Sequence, residues 1–154
     1  MVIGYKPRIA VVNTHEAIIE SVTTEVFNTG KLAALDQVAA HDLCVYYPQA
    51  GEPLCGLEQV KHAFSHARAA FPDAYFMTED TVAAGDRVVT RWTGRATHIG
   101  SFWGVPPTGR QLLLTGATIY RFVGGKIAEI WIYTDALQLR RQLENSHILK
   151  RSSG

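Results

Sequence analysis

The run KIAEIWIYTD, residues 126–135, closes an aromatic segment with a carboxylate. A carboxylate held beside Trp131 and Tyr133 would be partly desolvated, which raises its pKa and makes it a stronger base. Asp135 is therefore the leading candidate for acid/base chemistry. It also stands directly before ALQLRRQLE, where an aspartate can cap a helix instead. Glu129 on the same run is the second acid. Two carboxylates on one face can divide acid and base work, whereas a lone strand glutamate more often makes a cross-strand ion pair.

Histidines supply the other titratable candidates. His98 opens HIGSFWGVPPTGR, residues 98–110, and can act as a pocket base or bond the backbone of that loop. His62 and His66 stand four apart on a helical stretch but lie opposite its apolar stripe, with no third ligand in view, so a solvated face is expected rather than a metal site. The chain holds no GxSxG, no P-loop, no dinucleotide fingerprint and no zinc spacing. No cofactor and no metal are expected.

These groups must be positioned by helices first and strands after. Ile18, Val22 and Val26 repeat at four-residue spacing over 14–28, and Asn28-Thr29-Gly30 is a stop signal. A short helix over KLAALDQVAA and a strand over LCVYYP follow. In GLEQVKHAFSHARAAFP, Leu57, Val60, Phe64, Ala67 and Phe71 form one apolar stripe that Pro72 ends. Beyond Pro72 the period changes to that of four strands, with hairpin turns at Gly85-Asp86 and Gly124-Gly125. A short terminal helix closes the order. Helices followed by an antiparallel meander predict an α+β domain, a curved sheet with helices on one face. The expected division is an arm over 1–12, a domain over 13–144 and a tail over 145–154.

A two-residue turn at Gly124-Gly125 sets Val123 opposite Lys126. Alternation then gives one face Leu114, Gly116, Thr118, Tyr120 and Phe122 together with Ile127, Glu129, Trp131, Tyr133 and Asp135. That face is aromatic and polar, as ligand pockets are. The opposite face, with Ile119, Ile130 and Ile132, is mostly aliphatic and suits packing or a subunit interface. A bulge would swap the parity beyond it. On the preceding strand, Val88, Thr90, Trp92, Gly94, Ala96 and His98 share a face, and Arg87, Arg91 and Arg95 the other. The arginine row is expected to be solvated or ion-paired. The candidate substrate-binding set is Tyr47, Phe64, Trp92, His98, Thr118, Trp131 and Tyr133, with Asp135 catalytic.

At 154 residues the chain suits one domain, and folding to that size buries roughly 70% of the unfolded surface, enough for an internal pocket. A net charge of +1 gives no reason to expect nucleic acid or an acidic membrane surface as partner. The longest apolar runs are too short to span a bilayer, and the N-terminus, broken by Lys6, Pro7 and Arg8, is a poor signal peptide. A cytoplasmic protein is expected, with Cys44 and Cys55 as free thiols.

THIGSFWGVPPTGR, GATIYRF and GGKIAEIWIYTDALQLRRQL together resemble the SnoaL-like polyketide cyclase (ester cyclase) group of the NTF2-like superfamily. FNTGKLAALDQ, the Gly56-led helix, AFPD and AGDRVV extend the resemblance over about residues 15–143. It implies a cone, a strongly bent antiparallel sheet wrapped by about three helices around an apolar cavity. It also implies ring closure of a polyketide by intramolecular aldol condensation, without metal or cofactor, by an aspartate on the last long strand. The WxxxD ending places that aspartate at Asp135. The family's partner histidine on the neighbouring strand is missing, because QLLLTGATIYRFV has none, which leaves Thr118, Tyr120 or Arg121 as the polar partner. The expected function is a cofactor-free cyclase acting on a hydrophobic, polyketide-like carbonyl compound, as a homodimer or higher oligomer. Epoxide hydrolysis or isomerisation on the same fold, or a non-catalytic binding or dimerisation module, are the alternatives.

Overall fold

A computed structural model describes residues 14–144 of the chain. The arm expected over 1–12 and the tail over 145–154 lie outside the described residues. Helix α1, Thr14–Ser21, runs into a π-helical turn, Val22–Phe27. A 3-10 turn, Leu32–Ala34, leads into the single-turn helix α2, Leu35–Val38. Strands β1, Ala39–Tyr46, and β2, Leu54–Cys55, precede the long helix α3, Leu57–Ala70. Strands β3, Tyr75–Ala84; β4, Arg87–Thr97; β5, Gln111–Val123; and β6, Lys126–Thr134, form the meander, and α4, Ala136–Glu144, ends it.

The six strands form one sheet in the order β2-β1-β6-β5-β4-β3. The meander is antiparallel throughout, as expected from the hairpin turns. Strand β1 departs from that expectation, because it lies parallel to β6 at the far side. Strand order alone could not show this. A parallel neighbour needs a long crossover, here the whole of α3 and β3 to β5. The second helix also stops earlier than its sequence pattern, because Ala39 and Ala40 already belong to β1.

The expectation of free thiols is corrected. Cys44 and Cys55 are joined as a disulfide. They are direct partners across β1 and β2. The two-residue strand β2 was invisible in a stretch rich in Gly and Pro, so nothing in the sequence brought the two sulfurs together.

The inner face of the sheet carries the core. Leu43, Val45, Val88, Tyr120, Ile127 and Ile130 are buried there under Ile19, Val22, Val60 and Leu35 of the helices. The stripe on α3 divides along its length. Leu57 and Val60 are in the core, whereas Phe64, Ala67 and Phe71 border a cavity.

Candidate active site

The floor of the cavity is made by two aromatic rings lying against glycines. Trp92 on β4 faces Gly116 on β5, and a Cβ at Gly116 would come within 2.5 Å of the Trp92 ring and 2.3 Å of the Tyr133 carbonyl. Phe76 on β3 faces Gly94 in the same way, with the ring 2.7 Å from where a Cβ would stand. The two rings meet edge to face, 5.4 Å apart, a favourable arrangement of their quadrupoles. Phe76 is held by Asn28, whose side-chain oxygen accepts from the Phe76 N–H at 2.7 Å and whose amide donates to the Phe76 carbonyl at 3.0 Å. The Asn28 stop signal thus also fastens the first helical segment to the edge strand.

The opposite wall comes from the helices. Phe27 of the π-helical turn meets Phe64 of α3 edge to face at 5.5 Å. Arg68 borders the cavity, but its guanidinium donates to the carbonyls of Phe27, Asn28 and Pro72 at 2.8 to 3.1 Å. Its charge is spent on helix-end carbonyls, so it acts as a brace between segments. The space between sheet and helices is about 230 Å³ and its lining is largely apolar.

One polar cluster faces this space. The indole N–H of Trp92 donates to the Thr118 hydroxyl at 2.9 Å. The Tyr120 hydroxyl hydrogen-bonds to Thr118 and Thr90. Burial pushes the Tyr120 phenol far above its ordinary range, and those two bonds return only part of the shift. Tyr47 has 37% of its surface exposed as a residue, yet burial around its hydroxyl pushes its pKa up to about 12. Both phenols therefore stay protonated at neutral pH and remain hydrogen-bond donors. No Asp, Glu, His, Lys or Cys lines the cavity among the described residues.

Of the eight candidates from the sequence, Tyr47, Phe64, Trp92 and Thr118 line the cavity. Trp131 and Tyr133 do not. The register starts as expected, with Val123 opposite Lys126, but a bulge between Arg121 and Phe122 leaves Ala128 without a partner on β5. Beyond it Trp131 pairs with Ile119 and Tyr133 with Ala117, so both rings turn to the outer face. Ile130, Ile132 and Thr134 turn inward in their place. On the outer face Trp131 stacks on Tyr46 at 5.1 Å, with the Arg87 guanidinium 5.6 Å over its ring.

Glu129 goes with them and pairs with Arg121 at 2.6 Å. The arginine row is occupied likewise, with Arg91 on Asp80 at 2.7 Å and Arg95 over the Tyr75 ring. Asp135 is exposed at the head of α4, and its side chain accepts from the Gln138 N–H at 2.9 Å. It follows Thr134 and precedes Leu139, both of which line the cavity, but is itself off the lining.

His98 is fully buried and also off the lining. Its Nδ1 accepts from the Thr108 N–H at 3.3 Å and lies 3.0 Å from the Thr108 hydroxyl, while Nε2 has no partner among the described residues. The loop reading of His98 is the one this geometry follows. His62 and His66 are exposed on α3, away from the apolar stripe. The sequence offers Tyr120 as one of three polar partners and does not choose among them. The signal for Tyr120 was position, opposite Val88 and flanked by Thr118 on the inward face of β5.

A sheet closed by helices over an apolar pocket, with strand order β2-β1-β6-β5-β4-β3, defines the NTF2-like class of α+β cones. Within it, the chain belongs to the SnoaL-like polyketide cyclase family, whose model matches residues 17–143. A candidate polyketide cyclase from Acidithiobacillus ferrooxidans is 32% identical, with a TM-score of 0.78 over 89% of this chain and 99% of that one. IdmH, a candidate polyketide cyclase from Streptomyces antibioticus, is 33% identical, with a TM-score of 0.71 over 83% and 96%. A SnoaL-like candidate from Jannaschia sp. CCS1 shares the fold at a TM-score of 0.81 over 90% and 96%, with 18% identity. Among curated proteins none matches. No described helix is long and apolar enough to cross a membrane.

Proposed function

We propose that this protein is a cyclase-like enzyme that folds a hydrophobic, polyketide-like carbonyl compound inside the cavity and closes a ring by aldol-type chemistry. The observation that carries the reading is an apolar cavity with protonated donors on its wall, Tyr120, Thr118 and Tyr47. A substrate carbonyl oxygen accepts from these donors. The negative charge that develops on that oxygen as the enolate forms is then met by fixed donors in a water-poor site. The enolate carbon attacks a second carbonyl of the same molecule, the oxygen of that carbonyl takes up the proton that the base removed, and the aromatic walls hold the two ends together.

The base in this reading is Asp135, supported by its family position and by its place in the chain between Thr134 and Leu139, which line the cavity. It takes the proton alpha to the polarised carbonyl. The test is solvent deuterium exchange into 2-tetralone, a small apolar ketone. Exchange by the native protein, slowed 100-fold or more in Asp135→Asn and in Tyr120→Phe, is the expected result, in the range that acid/base groups and oxyanion donors contribute. Full exchange in Asp135→Asn rejects that residue as the base.

A second reading is favoured by one observation, the lack of a titratable base on the described lining. The protein would then hold its ligand without turnover, and tetralone would bind without exchange. Self-association through the outer face belongs to either reading. Tyr75, Met77, Leu113 and Tyr133 are each about half exposed there.

A further inference from the structure

Trp103 is the one non-glycine residue with positive φ among the described residues, at 48°. It occupies a two-residue turn between Phe102 and Val105, which bond each other's backbone at 2.9 and 3.0 Å. Gly104 follows at φ 74°. A turn with two positive φ values is normally filled by Asn-Gly, and a bulky side chain in its first position is strained. Packing does not repay this strain, since Trp103 is 52% exposed and its ring neighbour is Phe102, stacked at 5.0 Å.

The indole does have a position of consequence. It borders the inner cavity on one side and, on the other, a groove of about 360 Å³ along α4. The groove is lined further by Gln49, Leu137 and Arg140. Leu137 is 59% exposed, and among the described residues Glu144 engages only the Nε of Arg140. The inner cavity, at about 230 Å³, is smaller than the roughly 300–1,000 Å³ that encloses a drug-sized ligand.

We infer that the groove is a second subsite of the same ligand, and that Trp103 is the specificity-determining residue on which the ligand passes from one to the other. The ligand is elongated. Its apolar ring end fills the inner cavity, its middle crosses the indole, and an oxygen-bearing tail lies along α4 where Gln49 and Arg140 offer donors. This rests on the proposed ligand-binding cavity and extends it. Strain concentrated in a functional turn is repaid when the ligand covers the exposed ring.

The test compares 2-naphthol with 6-(2-naphthyloxy)hexanoate by calorimetry. The tailed probe is expected to bind roughly tenfold tighter, as a charge-assisted hydrogen bond and added apolar contact provide. Arg140→Gln, which touches the groove alone, should abolish that gain while 2-naphthol still binds, and Trp103→Asn, which borders both sites, should abolish the gain as well. Asn accepts the left-handed turn, so Trp103→Asn should keep or raise the thermal midpoint, which a packing residue would not do. Equal affinity for the two probes, or a gain that survives both substitutions, overturns the second subsite. If neither probe binds, the inner-cavity reading fails and this one with it.

Discussion

Trp92 on β4 donates its indole N–H to Thr118 on β5 at 2.9 Å, two residues along β5 from the direct partner Gly116. The diagonal works because Gly116 has no side chain to hold the ring off the sheet. Indole is only a donor, so the Thr118 hydroxyl must accept here, and its own proton is left for Tyr120 or a ligand. The aromatic floor and the polar cluster are therefore one assembly.

Thr118→Val should strand the Trp92 N–H with no acceptor. A partly buried donor left unpaired costs about 1 to 3 kcal/mol. Urea unfolding should show this as a lower midpoint at unchanged slope, and the native tryptophan emission should shift. An unchanged midpoint would mean that water replaces the hydroxyl.

Gly116→Ala should be worse than an ordinary small-to-large change. The new methyl would meet the Tyr133 carbonyl at 2.3 Å, and backbone cannot swing aside as a side chain can. A loss of at least about 1 to 3 kcal/mol is expected, with Trp92 displaced into the cavity. Thermal unfolding and binding of 2-naphthol should both weaken.

Asp135 separates two roles by substitution. Asn caps a helix about as well as Asp, so Asp135→Asn should leave stability nearly unchanged, while Asp135→Ala should cost about 1 kcal/mol. Thermal melts of the two variants check the cap. Deuterium exchange by the stable Asn variant then reports on chemistry alone.

The Arg121 guanidinium beside Glu129 holds its carboxyl below the usual carboxylate range. The unfolded chain then binds the proton more readily than the folded one. This contribution to stability is present above the unfolded Glu pKa, about 4.3, and is lost as pH falls through the lower folded value. Glu129→Gln should flatten that part of an acid unfolding profile. The Tyr47 phenol has the opposite sign, raised to about 12 mainly by burial. Its contribution is complete below the unfolded value of about 10 and disappears as pH rises toward 12. Absorbance titration at alkaline pH should find this phenol late, and Tyr47→Phe should remove the step.

Much of the fold was legible because its signals are local. The α3 stripe from Leu57 to Phe71, the turns at Gly85-Asp86 and Gly124-Gly125, and the inward row Val88 to His98 each depend on a few neighbouring residues. Half of the candidate lining was legible for the same reason, since Trp92 and Thr118 sit on strands without an interruption between turn and site. The aromatic outer face was not. Trp131 and Tyr133 lie beyond Ala128, and a single extra residue in a period-two chain turns every later side chain to the other face.

By itself the sequence determined the α+β order, the hairpin pairings and the membership that HIGSFWGVPPTGR and the WxxxD ending announce. Those depend on residue type and short spacing, which a chain carries whether folded or not. The tertiary structure decided what distance in sequence conceals. It set β1 beside β6, brought Cys44 to Cys55, and turned Ile132 rather than Trp131 toward the cavity. It set Tyr120 and Thr118 on the cavity wall and left Asp135 off that lining, as the cap of α4. Each of these follows from pairing between separate segments, and pairing is settled only when the sheet closes over its core.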